Sequence, residues 1–395
     1  MTKTNKGCLT KFKTVSIWFF LIFGLLLGGI AIINLNLSDS SVSLNTLSTT
    51  DQYSLQETDR LRKSVGNLIW PGFGDQEIPI ILYNEAYVFL SGLKDPETGW
   101  KKVPFTKQMG SRWTYIESTP SFFYYTQPII SSDQTPEAFT VQNGEYYAAS
   151  MTTKEWTEIK LTQLIKTDLP SFLKPIFPYS LITGKFNTDW HISAIIHESF
   201  HAFQAEKALE RVRSAEASNT FENSYPWKNP DFRQAWLNER LLLAKILKAS
   251  DDQKIRTLTK EWLQIRKQRR NTFNSPKLTA YEKEREWLEG LGKYAEIKSW
   301  LLASDPGLYE PLQQMSSIPD FDHYKNGVKN RNREIKQLRS NLSFSETVFY
   351  YSGWAQAEIL DYLDPGWKVK AFEPGMYLDD MIRNIFEPKA IAETK

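Results

Sequence analysis

The run Trp190-His191-Ile192-Ser193-Ala194-Ile195-Ile196-His197-Glu198-Ser199-Phe200-His201-Ala202-Phe203-Gln204 reads as a buried α-helix. Ile192, Ile195, Ile196, Phe200 and Phe203 recur at helical spacing and so share a broad apolar face. A helix this apolar is expected inside the domain, with its few polar side chains converging there too.

Within it, His197 and His201 stand one turn apart. Positions i and i+4 share a face, so both imidazoles can reach one ion at about 2.0–2.1 Å. Glu198 is rotated about 100° from His197 and would lie beside such an ion, where it can take a proton from water. The chain has only four histidines, His191, His197, His201 and His323, so this HExxH arrangement is hard to obtain by chance. The competing reading is a core helix whose histidines bond only to backbone or carboxylates. His191, on a neighbouring face, reads as structural. A catalytic zinc takes three protein ligands and leaves a fourth position open. No further histidine follows closely, so a carboxylate is the natural third ligand. The best location is Glu286-Trp287-Leu288-Glu289-Gly290-Leu291-Gly292-Lys293-Tyr294-Ala295-Glu296.

Working outward from the HExxH helix, the chain changes character on either side. From Ile78 to about Trp156, β-rich runs such as Ile78–Tyr83, Ala86–Leu90, Ser121–Thr126 and Glu145–Ser150 predict a small mixed or antiparallel sheet of four to six strands. Helical patterns follow at 158–173, 189–213, 230–249, 251–273, 278–303, 328–339, 344–363 and 377–386, and Asp251 and Asp252 fit an N-cap. Strands first and helices later predict an α+β fold: a sheet-containing subdomain over 57–180, opening with a short helix at 57–66, and a helical subdomain carrying the HExxH helix over 181–395. The basic run Arg266-Lys267-Gln268-Arg269-Arg270 reads as a solvated helix face.

Residues 1–14 carry Lys3, Lys6, Lys11 and Lys13 and no acid, and Val15 to Ile33 is free of charge. This predicts a transmembrane anchor over 15–35, with a cytoplasmic basic tail before it and the main domain exported. A cleaved signal peptide is the competing reading, and it too exports the domain. Residues 36–56, rich in Ser, Thr and Asn, read as a flexible linker. The single cysteine, Cys8, excludes an intramolecular disulfide and a cysteine-based metal site. With 48 basic against 46 acidic residues there is no basic excess, and no nucleic-acid partner is expected. Oligomeric state is not legible. The 13 Trp and 18 Tyr read as heavy packing rather than an aromatic-lined cleft.

An HExxH helix followed by an EGLxxY-bearing helix resembles the gluzincin group of zinc metallopeptidases. The resemblance covers about residues 190–300, more weakly Tyr350 to Trp367. It implies His197, His201 and Glu289 as zinc ligands and Glu198 as general base, with Gly290 letting the helices approach. Glu222, Glu282, Glu286 and Glu296 stay open as alternatives to Glu289. The chain between His201 and Glu289 is far longer than in well-known members, and an inserted helical hairpin at 230–273 would account for it. Lys293 stands where thermolysin-like members carry a supporting acid, with Glu296 or Glu286 as substitutes, and the GxMEN signature of aminopeptidase members is absent. A hydroxyl or imidazole that stabilises an oxyanion would come from Tyr350, Tyr351, Tyr294 or His323, with the first two preferred. An edge strand of the sheet offers β-addition to an extended peptide substrate. The expected activity is zinc-dependent peptide hydrolysis. An inactive tethered binding domain and a zinc hydrolase of non-peptide amides or esters remain the alternatives.

Overall fold

Ile80 and Leu82 point to one face of strand β1 (Ile80–Tyr83), and Ile81 and Tyr83 to the other. All four are buried, so both faces of the sheet are covered at its centre. The computed structural model describes residues 28–119, 122–137, 139–340 and 344–387. Six further strands join β1: β2 (Tyr87–Ser91), β3 (Lys101–Lys102), β4 (Thr114–Thr119), β5 (Phe122–Pro128), β6 (Val141–Asn143) and β7 (Tyr146–Thr152). Their order is β3-β6-β7-β1-β2-β5-β4. β1 and β7 are parallel and the other pairings antiparallel, so the sheet is mixed. Seven strands exceed the four to six expected. β3 and β6 span two and three residues, too short for a periodic signal, and β4 lies mostly in solvent.

The rest is helical: α1 (Thr49–Ile69), α2 (Lys154–Asp168), α3 (Tyr179–Thr183), α4 (Thr188–Ser218), α5 (Pro230–Ile246), α6 (Asp252–Phe273), α7 (Pro276–Ala303), α8 (Gly327–Gln337), α9 (Thr347–Leu363) and α10 (Leu378–Phe386). The fold is therefore α+β, a mixed sheet preceded by α1 and followed by the other helices. Side-chain caps set the starts. Asn187 accepts from the Trp190 amide before α4, and Ser275 from the Leu278 amide before α7. Asp251 is the cap of α6.

Several expectations need correction. The stretch 36–56 is not a free linker throughout. The Ser41 amide and hydroxyl both bond Glu85, Leu47 is buried, and Ser48 caps α1 at Thr49, well before the short helix expected at 57. The expected anchor lies largely outside the described residues. Residues 28–35 are helical, and among the described residues no helix is long and apolar enough to cross a membrane. The division at 180 does not divide the core. One apolar cluster holds Leu82 and Phe89 of the sheet together with Ile195 and Phe200 of α4, Trp287 and Leu291 of α7, and Leu360 of α9.

The basic run on α6 is solvated only at Lys267 and Gln268. Arg266 and Arg269 are fully buried. Arg266 contacts Glu239 at 2.5 Å, Glu286, and Asp379 at 3.2 Å, while Arg269 forks onto Glu282 at 2.6 and 2.9 Å and meets Glu239 at 2.8 Å. The α5–α6 pair, the hairpin expected in the gap, is pinned to α7 by these pairs.

Two glycines settle how closely α7 is approached. A Cβ on Gly290 would collide with Gly353 of α9, and one on Gly292 would lie 2.7 Å from His197 Nε2 and 2.9 Å from His201 Cε1. Gly290 thus serves the contact with α9, and Gly292 the contact with the histidines.

Candidate metal centre

The apolar face of α4 places the centre. Ile195, Ile196, Phe200 and Phe203 are fully buried, and Phe200 packs edge-on to Trp70 at 5.3 Å and to Phe73 at 5.2 Å. With that face locked, His197 and His201 project toward α7, their ring centroids 4.7 Å apart. Gly292 admits them to the α7 backbone, and Glu289, one turn earlier, meets both. Its Oε2 lies 3.6 Å from His197 Nε2 and 3.3 Å from His201 Nε2. All three side chains are buried, and their potential ligand atoms lie within 4.8 Å of one another. Among the described residues, this is the group of histidines and carboxylates able to hold a metal ion.

The outward nitrogens decide what the inward ones can do. His201 Nδ1 lies 2.8 Å from Gln204 Oε1, and Gln204 Nε2 donates to the carbonyls of Trp287 and Leu288 at 3.2 and 3.4 Å. Carbonyls only accept, so the amide orientation is set and its oxygen must face the ring. His201 Nδ1 therefore carries the proton, and in the neutral ring Nε2 turns a lone pair toward Glu289. His197 repeats the pattern: Nδ1 lies 3.2 Å from Glu296 Oε2. Two imidazole lone pairs facing a carboxylate oxygen repel unless a positive charge lies among them. A proton on His197 can supply it, and a divalent cation can take the proton's place; acceptors behind each imidazole are the arrangement metal-binding histidines use. The residues thus fit a bound metal.

The surroundings are rich in carboxyl groups and poor in fixed cations. Glu289 Oε1 accepts from Arg285 at 2.6 Å, and Arg285 also meets Glu346 at 2.5 Å and Glu216 at 3.8 Å. Lys293 bonds Glu296 at 2.6 Å and Glu334 at 3.0 Å. Burial would lower the His197 pKa, but the flanking Glu289 and Glu296 override it and push it up to about 10. Burial would raise Glu289, yet Arg285 and the two histidines hold it well below the usual carboxylate range. Glu198 is different. Burial lifts its carboxyl above the ordinary value, against the pull of His201 and His197, and Glu289 and Glu296 lift it further.

His197 and Glu198 border a cleft of about 600 Å³, together with Met151, Trp190, Lys293 and Tyr350. The ring of Tyr350 stacks on His197 at 5.6 Å, and burial and the Glu289 charge raise its hydroxyl pKa far above the usual value. Tyr351 also lines the cleft, with its hydroxyl donated to Glu334 at 3.1 Å.

The other candidates lie elsewhere. Glu282 and Glu286 are bound to the arginines of α6. Glu222 is on the single-turn helix Asn219–Ser224 and is no part of the group. Tyr294 donates to Asp361 at 2.6 Å. His323 packs on Phe321 at 4.8 Å and borders a separate hollow with Arg60 and Glu310. His191 bonds the Thr152 carbonyl at 2.8 Å and is structural. Strand β7, which supplies Met151 to the cleft, lies inside the sheet, whereas the edges are β3 and β4.

Residue reading missed Gln204, Gly292 and Arg285. Gln204 had a local signal, being three residues beyond His201 and so on its face. Gly292 and Arg285 had none, because their roles depend on which helix lies opposite. The chain matches no family model, no curated protein and no solved structure.

Proposed function

We propose that this chain is a zinc-dependent hydrolase of gluzincin type, acting on peptide bonds and tethered to a membrane by its N-terminal segment. One observation carries the reading: the Nε2 atoms of His197 and His201 and Oε2 of Glu289 converge, while the adjacent Glu198 borders an open cleft. His197, His201 and Glu289 would hold the zinc. When bound, zinc supplies Lewis acidity, polarising a carbonyl and making water easier to deprotonate.

The remaining chemistry belongs to the chain. Glu198 takes the proton of the attacking water on its carboxylate and returns it to the leaving nitrogen. Its raised pKa makes it a stronger base than an exposed carboxylate and a competent acid once protonated. Glu296 and Gln204 hold the two imidazoles in the ligand tautomer, and Lys293 balances the Glu296 charge. Tyr350, whose ring lies against His197 and whose hydroxyl bonds Glu289, and Tyr351, donated to Glu334, are the cleft hydroxyls for a developing oxyanion.

Replacing Glu198 with Gln separates this reading from a merely metal-binding domain. The variant should retain zinc by elemental analysis while peptide hydrolysis falls about 10²- to 10⁴-fold. Undiminished, chelator-sensitive cleavage by that variant would exclude the mechanism, and zinc without turnover in the parent chain would favour an inactive binding domain.

A further inference from the structure

Between α2 and α4 the chain leaves large apolar side chains in solvent. Leu164, Phe172 and Leu181 are 60%, 76% and 71% exposed, with Ile165, Ile176 and Ile182 half-buried among them. A patch of this kind on a soluble surface marks a partner or a membrane. Lys166 and Lys174 are half-buried in the same stretch, and Lys185 is exposed just beyond it.

A second, independent feature lies beside it. The side-chain amide of Asn34 donates to the carbonyls of Pro175 and Phe177 at 2.8 and 2.9 Å, and Gln163 and Lys166 both reach Asp39 at 3.4 Å. The end of the helical stretch 28–35 is thereby fastened to the patch. That stretch contains exposed Ile32 and Ile33 and continues the uncharged run that begins at Val15. The point at which the apolar N-terminal run joins the domain is therefore the point at which the domain exposes apolar side chains.

We propose that this face, Leu164, Phe172 and Leu181 beside Ile32 and Ile33, seats on the surface of an anionic phospholipid bilayer. Apolar side chains entering the interface while nearby lysines meet the headgroups is the pattern of interfacial binding. Lys166 is met by Asp39, but Lys174 and Lys185 outnumber the exposed Asp168, so the charge balance favours anionic lipid, and the apolar run continuing from residues 28–35 makes bilayer the occupant in place of a second copy or another protein. The inference rests on the tethered reading of the N-terminus and is independent of metal and catalysis. Lys185 and Phe186, which line the cleft, lie four and five residues beyond Leu181, at most about 18 Å of chain. Seating this face therefore brings the mouth of the cleft close to the lipid.

The test uses the full chain with Cys8→Ser and one environment-sensitive fluorophore attached at Phe172→Cys, Leu181→Cys or, as a control, Val369→Cys. Val369 is 78% exposed on another part of the molecule. Each protein is reconstituted with phosphatidylglycerol–phosphatidylcholine vesicles carrying a lipid-borne quencher. Probes at 172 and 181 should shift to the blue and lose fluorescence to the quencher, while the probe at 369 does neither. Vesicle-bound chain with all three probes behaving alike would overturn the seated face and leave the tether standing. Chain that does not associate with vesicles would overturn both. A blue shift at 172 and 181 without lipid quenching would assign the face to a protein contact and also overturn the proposal.

Discussion

The two halves of α7 use the same residue type for opposite ends. In its N-terminal half, Glu282 and Glu286 are met by Arg266 and Arg269 from α6, with Glu239 and Asp379 completing a buried network. Guanidinium groups are permanently charged, so those carboxylates are neutralised within the protein itself. At the midpoint, where the C-terminal half begins, Glu289 has Arg285 on one oxygen and two imidazoles on the other. An imidazole can give up its proton to a metal ion, so the positive charge facing this glutamate is exchangeable where that of a guanidinium is fixed. A glutamate facing only arginine builds an interface, whereas one facing two histidines can share a metal ion with them.

Substitutions can break this contrast. The largest effect is expected from Glu289→Gln, which should take bound zinc from about one per chain to near none and abolish hydrolysis. Elemental analysis per folded chain and a peptide assay report it, and the metal-free variant should also lose stability, because Arg285 and His197 lose a buried counter-charge. Retained zinc in that variant would argue that another carboxylate holds the metal.

Arg266→Met tests the other half. Removing this cation leaves Glu239, Glu286 and Asp379 buried with less compensation, and stability should fall by roughly 3–5 kcal/mol in urea unfolding. Zinc bound per folded chain should be unchanged. A coupled loss of metal would show that the two halves are not separate.

A smaller effect is expected from Glu296→Gln, which removes the charge behind His197 and should weaken zinc binding about 10- to 100-fold without removing it. Competition with a chelator of known affinity measures this, and an unchanged affinity would demote Glu296 to a surface neighbour of Lys293.

The gentlest probe is acid. Burial would raise the Glu282 pKa, but Arg269 and Arg270 lower it to about 2 in the folded chain, against about 4.3 unfolded. A depressed carboxyl contributes stability that is complete above the unfolded value and lost as pH falls through the folded one. Roughly 3 kcal/mol should therefore disappear between about pH 5 and pH 2. In Arg269→Met, unfolding free energy should depend less on pH over that range, and an unaltered dependence would remove Glu282 from the account.

Legibility followed distance along the chain. His197, Glu198 and His201 were readable because a helix brings i and i+4 together whatever surrounds it. The apolar face of α4 was readable for the same reason. Glu289 was reached by family resemblance, since 88 positions separate it from His201 and several glutamates of α7 have equal local claims. What distinguishes Glu289 from Glu286 is the element opposite each: α4 for one, α6 for the other. The arginines of α6 were misread for the matching reason, because a basic run on a helix looks solvated until a partner helix buries carboxylates against it. The sheet was recognised through the continuous β-rich runs at β1 and β2, while the short β3 and β6 carried too few residues to show one.

By itself the sequence determined the α4 motif, the strand-rich stretch ahead of the long helical one and the uncharged N-terminal run, because each depends on periodicity or composition within a few turns of chain. Tertiary structure decided which glutamate meets the histidines, which ones are consumed by arginine, and that Gly292 rather than Gly290 admits the imidazoles. Those choices depend on which surfaces come within a few ångströms. Contacts of that range are set by the packing of whole helices, which no local pattern encodes.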